Sequence, residues 1–187
     1  MKTTSRSPRL LVTVVFVVLV LAGASTVAFA AASGRFSGRW AAPSGQCTAP
    51  SLPGTVVDVT LTNMGGAMMR GWQGGGTMRI LVDRETVPAG TVSLRVANTG
   101  SLVHELVVLP LARGRQVGER AVGNEDRVDE AGSLGEASRS CGAGAGDGID
   151  PGSIGWVTLD LAPGNYELIC NLPGHYAAGM YTQLSVT

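Results

Sequence analysis

Histidine is scarce in this chain, with two residues, cysteine hardly less so with three, and the formal net charge is zero. Two imidazoles exclude any centre that spreads several metal ions over many histidines. A balanced charge excludes the basic footprint of a nucleic-acid binder, so no nucleic-acid partner is expected. The glycine-rich runs 74–76 and 142–148 lack the Lys and Ser or Thr of a phosphate-binding loop, and the second lies in a polar stretch instead of joining a strand to a helix. Both read as flexible loops. No internal repeat is found. What remains is an ordinary globular composition, 44% hydrophobic and 15% charged, in a chain of 187 residues that suits one domain with extensions.

Residues 1–32 read as a targeting segment. Lys2, Arg6 and Arg9 precede an apolar run from Leu10 to Ala22, and Ala28-Phe29-Ala30 follows as an A-x-A-like cleavage site. The stretch from Leu10 to Ala32 carries no charge and is also long enough to span a bilayer, for which about 20 apolar residues suffice. The segment is therefore a signal peptide or an N-terminal membrane anchor, an apolar helix in the second case. Either places the domain outside the cytoplasm, anchored to the membrane through residues 10–32 or secreted. No cysteine lies near the boundary, which argues against a lipoprotein.

Residues 33–54, rich in Gly, Ser, Ala and Pro, read as a linker. From Thr55 to Thr62, Val57, Val59 and Leu61 alternate with Asp58, Thr60 and Thr62, the period of a half-buried strand. Met78 to Val82, Thr91 to Ala97 and Glu105 to Leu109 predict further strands, punctuated by Pro88-Ala89-Gly90 and Asn98-Thr99-Gly100. Between residues 112 and 153 glycine, arginine and acidic residues take over, and only Glu125 to Arg139 could form a short amphipathic helix. This is an insertion, not a second domain. Gly155 to Leu161, Tyr166 to Cys170 and Tyr181 to Val186 then complete the strands. Seven or eight short strands without a long helical pattern predict an all-β, Greek-key β-sandwich with a long polar insertion, residues 55–187 forming the domain.

The chemistry concentrates in Cys170-Asn171-Leu172-Pro173-Gly174-His175-Tyr176-Ala177-Ala178-Gly179-Met180. A thiolate, an imidazole and a thioether stand at equal intervals on one turn between two strands, and Pro173 with Gly174 bends the chain so that His175 can return toward the sulfur. His104, the other histidine, begins an earlier strand. Cysteine, two histidines and a methionine match the ligand preference of a type 1 copper site, whereas methionine is a poor ligand for zinc. Met64, Met68, Met69 and Met78 invite a second reading, copper storage or delivery, because thioethers suit Cu(I). Core or surface gap-filling is the simpler use of such residues.

The spacing Cys170-x4-His175-x4-Met180 with upstream His104 resembles the cupredoxins, the small blue copper proteins, and among them the sulfocyanin, rusticyanin and auracyanin kind. The resemblance covers residues 55–187 outside the insertion. It implies one type 1 copper ion, with His104, Cys170 and His175 as equatorial ligands and Met180 as the weak axial one. It also implies a one-electron carrier between redox protein partners, not an enzyme. Many relatives carry Asn after the first ligand histidine, where it ties the two ligand loops together; this chain has Glu105, expected to point away from the face of His104. Leu172, Pro173, Tyr176, Ala177 and Ala178 would form an apolar patch around the His175 edge.

With Cys170 assigned to copper, Cys47 and Cys141 remain as one possible pair. An exported protein favours their disulfide, which would staple the linker to the insertion.

Overall fold

The computed structural model describes residues 47–63 and 78–187, all within one compact unit, Ser44–Thr187. The targeting segment, most of the linker and Met64, Met68 and Met69 lie outside the described residues. Among the described residues no helix is long and apolar enough to cross a membrane.

Among the described residues nine strands form two sheets. They are β1 (Thr55–Thr62), β2 (Arg79–Val82), β3 (Thr86–Val87), β4 (Gly90–Asn98), β5 (Leu106–Leu111), β6 (Gly135–Ala137), β7 (Ile154–Leu161), β8 (Gly164–Ile169) and β9 (Tyr181–Val186). One sheet has the order β2-β1-β4-β7 and the other β3-β9-β8-β5-β6. Both are mixed, with β1 parallel to β4 and β3 parallel to β9. The chain crosses repeatedly from one sheet to the other, as the Greek-key sandwich requires.

The alternation in β1 does what its period predicts. Val57, Val59 and Leu61 are fully or almost fully buried and meet Leu94 and Val96 of β4 with Leu106, Leu168 and Leu184 of the facing sheet. Strands β5 and β8 instead bury both faces. Their outward residues Val107, Leu109 and Ile169 pack with Val128, Tyr176 and Tyr181 in a second, smaller apolar cluster. That outer layer is supplied by the insertion, by the loop that follows β8 and by the first residue of β9.

The insertion departs from its sequence reading. In place of a helix over 125–139 there is one 3-10 turn, Asn124–Asp126, followed by β6, which pairs with β5. Gly132 and Gly135 stand at φ 85° and 149°, backbone values that interrupt a helix. Its few apolar residues have distant partners. Ala137 and Ile149 join the main core, and Ile149 forms a bridge with His104. Cys47 and Cys141 are disulfide-bonded across a separation of 94 residues, with Cα atoms 5.4 Å apart. The last residues of the linker are fixed too, since Ser93 Oγ donates to the Pro53 carbonyl at 2.6 Å.

Candidate metal centre

Strand β8 ends at Ile169, and the next residue begins the loop that returns as β9. Short-range bonds shape that loop: the His175 N–H donates to the Leu172 carbonyl at 2.9 Å and the Met180 N–H to the His175 carbonyl at 3.1 Å. The Cys170 N–H closes it by donating to the Met180 carbonyl at 3.0 Å. Gly174 and Gly179 take φ values of 79° and 88°, the left-handed region in which glycine is at ease.

This folding brings the expected residues together. The ligand atoms of His104, Cys170 and His175 all lie within 4.8 Å of one another. Cys170 Sγ is 3.2 Å from His175 Nδ1 and 4.0 Å from His104 Nδ1, and the two Nδ1 atoms are 3.2 Å apart. Met180 is fully buried in the same core cluster as Cys170. Three donors converge on one point, so a single ion can touch them all.

The tautomer of His104 follows from its neighbour. Asn63 Oδ1 accepts the N–H groups of Ser101 at 2.7 Å and Leu102 at 3.3 Å, which fixes that atom as the oxygen. His104 Nε2, 3.3 Å from the same oxygen, must therefore donate. Its Nδ1 is left with a lone pair facing Cys170 and His175, the usual outer-shell arrangement for a metal-binding imidazole. A side chain at Gly100 would collide with Asn63 Oδ1, so a glycine keeps this contact open.

Burial sets the protonation. It holds His104 down to about 4, with help from His175, and lowers His175 in the same direction. Both imidazoles are neutral at neutral pH. Burial also pushes the Cys170 thiol up to about 12. A cation that binds the sulfur displaces that proton, and soft Cu fits a thiolate with two imidazoles and a buried thioether better than hard cations do.

Two expectations are corrected. Glu105 precedes β5 instead of lying in it, and its carboxylate is engaged by the turn after Cys170. It is buried and accepts the Asn171 N–H at 3.1 Å, while its own N–H points at Cys170 Sγ at 3.4 Å. Glu105 itself thus ties the two ligand loops, although burial raises its carboxyl to about 7. Tyr176 is not part of a surface patch; it is buried, leaving exposed Pro173 and Ala177 and half-buried Leu172 and Ala178 near the half-buried His175. Met78, counted among the possible copper-handling methionines, packs against the core.

A two-sheet β-sandwich that gathers a cysteine, two histidines and a methionine in the arrangement of a type 1 copper site is a cupredoxin. More narrowly, the chain belongs to the Sulfocyanin (SoxE) domain family, which matches residues 66–187. Cupredoxins bind one copper ion and carry electrons. Similar solved structures include dithionite-reduced auracyanin from the photosynthetic bacterium Roseiflexus castenholzii, at 22% identity and a TM-score of 0.43 over 73% of this chain and 99% of that one. Rusticyanin from Thiobacillus ferrooxidans is similar at 22% identity and a TM-score of 0.42, over 72% of this chain and 79% of that one. No curated protein matches the chain in sequence.

Proposed function

We propose that the protein is an extracytoplasmic one-electron carrier, not an enzyme, whose single type 1 copper is held by His104, Cys170 and His175 with Met180 as the weak axial ligand. When bound, the ion supplies the redox change, cycling between Cu(II) and Cu(I). The chain's own residues supply the rest. Asn63 holds the ring of His104, Glu105 holds the turn after Cys170, and burial keeps water from the sulfur. The observation that carries the reading is the convergence of three donor atoms within 4.8 Å, two of them on a tightly hydrogen-bonded loop. A loop of this kind needs little rearrangement between oxidation states, whereas copper delivery needs a site that opens.

Residues 1–32 would export the domain or anchor it, and the Cys47–Cys141 disulfide supports an oxidising compartment outside the cytoplasm. Redox proteins are the expected partners, meeting the copper end near His175. Voltammetry of the copper-loaded protein tests the reading. A reversible one-electron wave, with copper retained in the reduced form against a Cu(I) chelator, is the expected result. Ready loss of reduced copper to the chelator would assign the protein to copper storage or delivery.

A further inference from the structure

The ligand loop is gripped at three places by a segment that belongs to neither sheet. Asn171, beside Cys170, accepts the Val128 N–H at 2.8 Å and donates to the Val128 carbonyl at 3.0 Å and to the Glu130 carboxylate at 2.6 Å. Gly174, beside His175, donates its N–H to the Asp126 carbonyl at 2.9 Å. Tyr176, on the other side of His175, accepts the Arg120 N–H at 3.0 Å and donates its hydroxyl to Glu167 at 2.9 Å.

Glu167 is the centre of the third grip. It is fully buried on β8, where it also accepts Arg120 Nε at 2.6 Å and the Gly118 N–H at 2.7 Å. Arg120 in turn donates to the Pro110 carbonyl at 2.7 Å. A buried ion pair is weak ground for stability, because apolar residues of the same size often do as well. Its use here is positional: one carboxylate joins β8, the insertion and the residue after His175. Val128 and Tyr176 also share the apolar layer outside β5 and β8, so the same segment touches the loop by packing as well as by hydrogen bonds.

We propose that residues 118–130 are a brace that holds the Cys170–Met180 loop in its ligand-presenting shape before any metal arrives, with Arg120 and Glu167 acting as positioning residues through Tyr176. A turn-built loop left to itself would have to be ordered by the ion, at a cost in backbone entropy taken from metal binding. The brace removes that cost. The inference rests on the copper reading, since it takes Cys170 and His175 as ligands, but its test does not need the metal.

Amide hydrogen exchange of the metal-free full chain, followed by NMR, compares wild type with Tyr176→Phe and with the double variant Arg120→Met/Glu167→Met. The double variant replaces the ion pair with apolar residues and leaves no charge stranded; Tyr176→Phe removes one hydroxyl and decides the matter if the double variant does not fold. Exchange at Gly174, His175, Ala178 and Met180 should quicken by about tenfold, as the loss of one or two hydrogen bonds predicts, while Val59, Leu94 and Val157 keep their protection. Unchanged exchange in the loop, or equal quickening throughout the sheets, overturns the brace. Failure of the wild-type protein to take up copper would overturn the copper reading alone and leave the exchange result standing.

Discussion

Asn63 Oδ1 lies 3.3 Å from His104 Nε2, at the point where β1 hands the chain on, and so orients an imidazole 41 residues away. Asn63→Leu removes this acceptor and frees the ring to turn. Copper affinity, measured by competition with a chelator, should fall by about tenfold or more, in line with the usual effect of losing an outer-shell partner. Unchanged affinity would mean that packing alone orients His104.

Met180→Gln places a harder oxygen where the buried thioether stands. The expected outcome is a lower reduction potential with copper still bound, because the axial ligand tunes such sites. Voltammetry under identical conditions reads the difference. An unaltered potential would remove Met180 from the ligand set.

Ala177 is exposed beside His175, so a charge there meets a partner and not the metal. Weak electron-transfer encounters bury little surface, typically below about 1,200 Å² in total. Ala177→Glu should therefore slow electron self-exchange several-fold while the visible spectrum and copper affinity stay as in wild type. Equal self-exchange rates in the two proteins would place the contact surface elsewhere.

The Cys47–Cys141 bridge closes a long loop. Replacing both cysteines with serine should lower the unfolding free energy by about 2–5 kcal/mol, read from denaturant midpoints. Equal midpoints for the two proteins would show that the insertion and the residues before β1 are held well enough without it.

The metal loop was legible because its donors are few and regularly spaced, and β1 because Val57, Val59 and Leu61 alternate cleanly. Residues whose partners are remote in sequence were not. Asn63 sits at the edge of a glycine-rich stretch, and nothing local links it to His104. The helical pattern over Glu125 to Arg139 misled because its apolar members face different places: Val128 lies outside β5 and β8, and Ala137 lies in the main core. Glu105 reads as the first residue of a strand, yet it precedes β5 and its carboxylate meets the Asn171 N–H 66 residues on. Strand β6 is three residues long and contains Gly and Glu, a sequence that becomes a strand only by pairing with β5.

Cys170 Sγ is the atom on which the account depends, and the absorption spectrum of the copper-loaded protein interrogates it directly. An intense visible band from thiolate-to-copper charge transfer is predicted for the wild-type protein, absent in Cys170→Ser although the fold is retained. A colourless wild-type protein, or equal colour in the two, would contradict the assignment.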